Sequence, residues 1–149
     1  MYKLNFELVP DGCWKQNLRA ILSKKQWEFL SKDVKRKANG RCMICGKKTT
    51  RLEAHEKWSY DEKNAIQKLE NVVAICKDCH SVIHIGRTQL FGDEERAEKH
   101  FMKVNDCTYA DYRKVLGQAN ENHKRLNLVN EWALDLTWLK HWLEDFEIK

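Results

Sequence analysis

Residues 75–86 read ICKDCHSVIHIG and place two cysteines and two histidines within nine consecutive positions. The pair Cys76-x2-Cys79 follows a second pair, Cys42-x2-Cys45, after an interval of thirty residues. Each C-x2-C turn directs two thiolates to one point, and two such turns complete the tetrahedral shell that Zn²⁺ prefers. Because four protein ligands leave no open coordination position, the spacing predicts a structural zinc ion held by these four cysteines.

The cysteines allow a second interpretation, as redox dithiols or buried free thiols. The N-terminus has no signal-peptide pattern, so we expect a cytoplasmic protein, in which cysteines are interpreted first as metal ligands or buried thiols. Cys13 and Cys107 have no partner at ligand spacing and are expected to be small buried apolar residues. No run of 18 apolar residues is present, so no membrane partner is expected.

Two histidines remain if the zinc uses all four cysteines. His80 and His84 are spaced i, i+4, and on a helix such residues project from the same face. Two protein nitrogens leave positions for water and phosphate, so the pair predicts an open site for a divalent cation. In the competing interpretation, His80 replaces or supports a zinc ligand.

His55 and Asn71 are candidates for the chemistry at that open site. We expect His55 at the end of a first strand and Asn71 at the start of its antiparallel partner, where the two can lie opposite each other. A neutral imidazole near a metal-bound phosphate is a suitable general base for activating water. Asn71 would orient that imidazole or its loop. A lone histidine, however, more often has a structural role.

The hydrophobic periodicity predicts an α+β fold, mostly helical, in one domain over residues 1–149. We expect an N-terminal strand and a basic helix in 1–39, a zinc-stabilised core in 40–87 and a helical extension in 88–149. In the core, RLEAHE (51–56) and LENVVAIC (69–76) are predicted strands joined by a long loop over 57–70.

Capping signals place the helices. Ser23 and Gln26 have the capping-box pattern, which predicts a helix over residues 24–38. The helix that begins in KDCHSVIHIG is expected to end at Gly86. Further helices are predicted in residues 92–105 and in 108–127, the latter with Thr108 and Asp111 as a cap pair. A short extended piece precedes a terminal helix from about residue 137.

Positive charge is concentrated in one part of the chain. The formal net charge is +5, and residues 24–51 hold ten Lys or Arg against Glu28 and Asp33. A one-sided basic excess suits a polyanion such as nucleic acid, although a solvated helix face has the same composition. The candidate phosphate contacts are Lys35, Arg36, Lys37, Arg41, Lys47, Lys48, Arg51 and Arg87.

The order of these residues resembles the HNH endonucleases over residues 40–87. The resemblance is carried by Cys-x2-Cys, His55, Asn71, Cys-x2-Cys-His and His84, and the longer pattern HEKWSYD…QKLENVVAICKDCHSVIHIGR is similar to a branch of bacterial and phage HNH proteins. It implies a β-β-α-metal fold that hydrolyses a DNA phosphodiester. It further implies that His55 is the general base, Asn71 the central asparagine, and His80 and His84 the ligands of the catalytic ion.

One position departs from the family pattern. Many members carry Asp or His immediately before the base, as a further metal ligand, whereas this chain has Ala54. Strand alternation directs Glu56 away from the face of His55 and puts Glu53 on that face, while Asp61 falls in the 57–70 loop. Either two histidines, phosphate and water hold the ion, or one of these acids (Glu56 included) supplies a ligand, or the site is weak.

The function expected from these patterns is a metal-dependent DNA endonuclease that nicks one strand per active site. A homodimer would be required for cleavage of both strands in one event. A two-histidine site accepts Mn²⁺, Ni²⁺ or Zn²⁺ as well as Mg²⁺. The main alternative is a non-catalytic, zinc-stabilised nucleic-acid-binding module, which Ala54 favours. A RING-type interaction domain fits less well, because two zinc ions need eight ligands and too few follow residue 84.

Overall fold

The computed structural model describes residues 2–140 and 142–143 and shows a mixed α+β fold. Within these residues, six α-helices surround one three-stranded sheet. In chain order the helices are α1 (Leu18–Ile21), α2 (Lys24–Lys37), α3 (Lys77–Ile83), α4 (Ile85–Leu90), α5 (Glu94–Asn105) and α6 (Tyr109–Leu126). The strands are β1 (Glu53–Asp61), β2 (Ile66–Ile75) and β3 (Ala133–Asp135), in the spatial order β1-β2-β3. The α+β prediction is confirmed.

A long antiparallel hairpin of β1 and β2 forms the centre of the fold. The loop predicted over residues 57–70 is wrong, because most of that segment is strand. Only residues 62–65 turn, where Asp61 accepts hydrogen bonds from the backbone and side-chain nitrogens of Asn64. The strands extend this far because Trp58 and Leu69 pack into a hydrophobic cluster that also holds Leu30. β3 adds in parallel beside β2.

The two faces of the hairpin belong to two different hydrophobic clusters. Helix α2 covers the face that carries Ala54 and Val72, through Leu30 and Val34. The other cluster contains Ile75, Val82 and Phe101, together with Val73 packed against it. It joins β2 to α3, α5 and α6. The hairpin therefore separates α2 from α3, and this separation decides what surrounds each candidate site.

The capped helices form where the sequence predicts them. Both Ser23 with Gln26 and Thr108 with Asp111 make reciprocal capping boxes, at the starts of α2 and α6. The expected end of the zinc-core helix at Gly86 is wrong. The backbone of His84 leaves helical geometry (φ −95°, ψ 51°), which ends α3 one residue earlier and starts α4 directly afterwards.

The strand expected near the N-terminus is not among the elements of the described chain. Residues 2–10 instead run along the surface of the helical layer, where Asn105 pairs with both backbone groups of Leu4 (3.0 and 2.8 Å). Beyond β3, residues Thr137–Leu139 form one 3-10 turn. The rest of the predicted terminal helix lies largely outside the described residues. In the described part of the chain, the helices are too short or too polar to cross a membrane.

Candidate metal centres

The four predicted cysteines converge on one point. Cys42 and Cys45 lie in the turn after α2, Cys76 caps α3 and Cys79 lies in its first turn. The Sγ atoms of Cys42 and Cys79 are 3.8 Å apart, and those of Cys45 and Cys76 are 3.7 Å apart. Ligands at the Zn–S bond length of 2.3 Å in a tetrahedron are separated by about 3.8 Å. These residues therefore fit a bound metal such as zinc, and the spacing is far too long for a disulfide.

Backbone hydrogen bonds shape both halves of this cluster. The amides of Ile44 and Cys45 each donate to Cys42 Sγ at 3.4 Å, and the amide of Cys79 donates to Cys76 Sγ at the same distance. Donors aimed at sulfur stabilise thiolates, which is the form that binds metal. Gly46, with φ +78°, closes the first turn in a conformation that few other residues adopt.

Acidity in the cluster also favours a cation. Contact with the Cys79 thiol lowers the pKa of Cys42 to about 4, whereas burial raises the pKa of Cys76 to about 11. The same contact with Cys42 raises the pKa of Cys79 strongly. Cys76 and Cys79 thus resist ionisation beside Cys42. A divalent cation removes that conflict.

His100 is a neighbour of this cluster that sequence reasoning missed. Its Nε2 atom lies 3.2 Å from Cys79 Sγ, although the residue is on α5, 21 positions later in the chain. A metal-bound thiolate accepts hydrogen bonds, so this nitrogen would donate to it and hold Cys79 in place. No cysteine or histidine spacing signals this contact, because α5 reaches the cluster only through tertiary packing.

His100→Ala is expected to weaken zinc retention by about tenfold, because loss of an outer hydrogen bond to a metal ligand usually costs this much affinity. The measurement is the rate of zinc transfer from purified protein to a chromogenic chelator. The matched control is Lys99→Ala, which alters the adjacent residue and its surface ion pair with Glu95. Equal transfer rates for the two variants would show that the His100 contact does not support the zinc site.

The three candidate histidines form a second group of possible metal ligands. One ring nitrogen each of His55, His80 and His84 lies within 4.8 Å of the other two. The ring centroids are 4.7 Å apart for His80 and His84, and 5.4 Å apart for His55 and each of them. His55 is 5% exposed. The hairpin register explains the convergence, since His55 pairs with Val73 on the face that packs toward α3.

Burial of His80 and His84 favours the neutral form of these two imidazoles. Burial and, to a lesser extent, the neighbouring His80 lower the pKa of His84 to about 3. Burial also lowers the pKa of His80, although Glu53 opposes the shift. A neutral imidazole retains the lone pair that a metal requires. His80 and His84 are therefore suited to bind a divalent ion.

Carboxylates contact two of the three rings. Glu53 Oε1 lies 3.0 Å from His80 Nδ1, which leaves Nε2 of His80 for an ion. Glu7 lies beside His55, with its Oε1 and Oε2 atoms 3.2 and 3.1 Å from His55 Nε2. Alternation along β1 predicted the face of Glu53 but not its contact. Glu7 was not foreseen, since it lies 48 residues before His55 and belongs to no motif.

Asn71 does not occupy the predicted place opposite His55. His55 pairs with Val73, and Asn71 pairs with Lys57, beside a β-bulge. His55 is near the start of β1 rather than its end, because the hairpin continues far beyond it. The exposed Asn71 directs Oδ1 to the amide of Val72 at 2.8 Å. The structure thus brings together His55, His80 and His84 but leaves Asn71 outside the group.

Two of the three acidic alternatives for the ion, Glu56 and Asp61, lie away from the histidine group, whereas Glu53 contacts His80. Glu56 shares the face of Ala54, as alternation predicts, and its Oε1 accepts a hydrogen bond from the amide of Leu18 at 2.6 Å. Burial raises the pKa of Glu56. Asp61 lies at the far end of β1, bound to Asn64. Among the described residues, the group of mutually close ligand atoms at the histidines includes no carboxylate.

A cleft of about 1550 Å³ opens at the histidine group. Its lining includes the cations Arg19, Lys77 and Arg87, of which only Arg87 was predicted to contact phosphate. The other seven predicted cations are exposed but lie outside this lining: Lys35, Arg36, Lys37, Arg41, Lys47, Lys48 and Arg51. Helix α2 packs on the opposite face of the hairpin, and Asp33 already pairs with Arg36 and Lys37.

Comparison with known proteins adds no family assignment. Neither protein-family models, nor curated protein sequences, nor solved structures gave a match. The functional conclusion therefore depends on the two ligand groups and their surroundings.

Proposed function

We propose that this protein is a metal-dependent DNA endonuclease of the HNH type. The observation that carries the proposal is the convergence of His55, His80 and His84 on a hairpin and helix whose junction is held by four cysteines. The residue order resembles the HNH pattern, and the hairpin followed by α3 has the order of a β-β-α unit. A purely structural zinc domain has no need of a second, open group of three buried or half-buried imidazoles.

His80 and His84 are the proposed ligands of a divalent ion, because their half-buried rings lie side by side with centroids 4.7 Å apart. Glu53 holds Nδ1 of His80 and so fixes the orientation of that ring. An ion bound here would stabilise negative charge on the scissile phosphate and on the departing 3′ oxygen. Imidazole ligands suit Mn²⁺, Ni²⁺ and Zn²⁺ as well as Mg²⁺.

His55 is the proposed general base. It would take a proton from the attacking water as the new phosphorus–oxygen bond forms and the bond to the 3′ oxygen breaks, and the leaving oxygen would take a proton from solvent. His55 is 5% exposed and lies beside the two proposed metal ligands, so its ring is shielded from bulk solvent. One such site serves one strand, so a monomer should nick and a homodimer would be needed to cut both strands together.

The proposed substrate follows from the cations of the cleft. Arg87 is exposed just after the histidines, and Lys77 on α3 lines the same cleft, where both would contact phosphates beside the scissile bond. Arg19 lines a part of the cleft nearer α2, where it lies over the ring of Trp27. The cations of α2 and of the turn after it would contact DNA only where it extends beyond the cleft. Phosphate contacts of this kind confer affinity but no sequence preference.

The test is cleavage of supercoiled plasmid by purified protein in Mg²⁺, Mn²⁺ or Ni²⁺, or with EDTA. We expect conversion to open circles that requires a divalent ion, with Mn²⁺ or Ni²⁺ at least as effective as Mg²⁺. Salt-sensitive DNA binding without cleavage in any metal would replace the proposal with a non-catalytic nucleic-acid-binding module. The absence of an acid at Ala54 is the feature that would explain such an outcome.

His84→Ala is expected to raise the Mn²⁺ concentration for half-maximal nicking by at least about tenfold, a loss of about 1.4 kcal/mol of binding free energy. One of the two proposed protein ligands is absent in this variant. The measurement is a metal titration of the nicking rate, with zinc content and melting temperature checked in parallel. Gln89→Ala, an exposed change on α4, serves as control. An unchanged titration would remove His84 from the ligand set.

A further inference from the structure

A carboxylate from outside the hairpin and α3 contacts the proposed base. Glu7 directs both oxygens at Nε2 of His55, at distances of 3.2 and 3.1 Å. We propose that Glu7 positions His55 by fixing the orientation and the tautomer of its ring. The effect of this contact on catalysis rests on the proposed function. The role extends the site into residues 2–10, beyond the segment that resembles a known family.

The contact determines which nitrogen of His55 is available for chemistry. An ionised carboxylate only accepts hydrogen bonds, so Nε2 facing two carboxylate oxygens must carry the hydrogen. In the neutral ring the lone pair is then on Nδ1. His55 would therefore take a proton, or bind an ion, through Nδ1. A ring without this contact would distribute its hydrogen between the two nitrogens and spend part of its time in the wrong form.

The backbone around Glu7 is built to hold this carboxylate in place. The amide of Glu7 donates to the carbonyl of Ile83 at 2.9 Å, in the last turn before His84. On one side Phe6 stacks on Phe101 with ring centroids 5.0 Å apart and makes an edge contact with Tyr112. Three residues before Glu7, the backbone of Leu4 is fixed by a side chain of α5. The same segment thus docks on α3 and presents the carboxylate to β1.

Glu7 would also stabilise the product of proton transfer. Once His55 has accepted a proton at Nδ1 it is an imidazolium, and a carboxylate at the opposite nitrogen attracts that charge. The same division of labour operates between aspartate and histidine in serine-protease triads, where the carboxylate orients the ring and stabilises its cation without taking the proton. The Glu7 side chain is about one-third exposed (29%), so solvent weakens this attraction but does not remove the geometric constraint.

The first experiment measures the tautomer of His55 without any nuclease assay. Protein labelled with ¹⁵N in its histidines, with zinc present and no second metal, is studied by long-range proton–nitrogen NMR at about pH 8, above the ordinary histidine pKa of about 6.5. His55→Ala identifies the signals. We expect the Nε2–H form in the wild type and a mixture in Glu7→Ala. A wild-type ring in the Nδ1–H form would overturn the proposal, even if the protein proves not to be a nuclease.

The second experiment separates orientation from binding in the nicking reaction. Glu7→Ala is expected to lower kcat by about 10- to 100-fold, the usual effect of removing a carboxylate behind a functional histidine, with little change in KM. Glu7→Asp should recover part of the loss, and Glu95→Ala, a surface change on α5, should have no effect. A Glu7→Ala enzyme with wild-type kcat, or one whose loss is entirely in KM, would refute the positioning role.

Discussion

Cys79→Ser is expected to release the bound metal and unfold the hydrophobic cluster that joins β2 to α3, α5 and α6. Cys79 is fully buried within this cluster, as are Cys42 and Cys76 beside it. Binding of a structural zinc ion contributes about 10–16 kcal/mol in small zinc domains, which equals or exceeds the total stability of a typical domain of about 5–15 kcal/mol. Zinc content, far-UV circular dichroism and thermal unfolding measure the outcome.

The matched control for this prediction is Cys107→Ser. It makes the same chemical change at a half-buried cysteine that lies outside the four-thiol group. We expect one zinc ion per chain and a nearly unchanged melting temperature in this variant. A Cys79→Ser protein that keeps its zinc, or that loses zinc and melts as the wild type does, would show that the metal is not structural.

The zinc group and the histidine group are mechanically connected through α3. Cys76 is the N-cap residue of this helix, and its sulfur accepts the amide of Cys79. Cys79 and His80 are adjacent in the chain, so they necessarily point to different sides of the helix. A metal on the cysteines fixes the start and rotation of α3, and thereby the directions of His80 and His84. The segment ICKDCHSVIHIG thus contributes α3 and its two cap residues to both groups.

Local chemistry is what the sequence predicted well. The C-x2-C spacings and the two capping boxes depend on residues within three positions of one another, and each is confirmed in the structure. The i, i+4 spacing likewise brought His80 and His84 together, although α3 ends at Ile83. In each case the geometry is decided by interactions between residues that are close together in the chain.

Long-range pairing is what the sequence could not supply. The register that separates Asn71 from His55 depends on a β-bulge and on how far the hairpin extends, and both are set by packing on two different clusters. Glu7 and His100 reach their sites through segments that lie far away in the chain. A glutamate in an N-terminal segment without a motif and a histidine on an amphipathic helix have no local pattern that distinguishes them from solvated residues.

His55→Ala is expected to lower the nicking rate by about 10²- to 10⁴-fold, the usual contribution of a positioned general base. His55 lies so close to the other two rings that a role as general base has to be distinguished from a role as third metal ligand. Co²⁺ bound at the histidine group provides that distinction through its visible absorption. A base that does not bind the ion leaves the Co²⁺ affinity and spectrum of His55→Ala nearly unchanged while the rate falls.

A third ligand would behave differently, because removing it weakens Co²⁺ binding and alters the spectrum together with the rate. His55→Gln tests the same position with a side chain that cannot act as a general base. Its amide can still donate to Glu7 and so preserves the packing of residues 2–10. Both variants must keep zinc and the wild-type melting temperature for the comparison to count. Nicking that persists at the wild-type rate in both would place the catalytic base elsewhere in the cleft. A fall in rate with Co²⁺ binding intact would identify His55 as the general base. The site would then function with Ala54 at the position where many HNH enzymes have an acidic ligand.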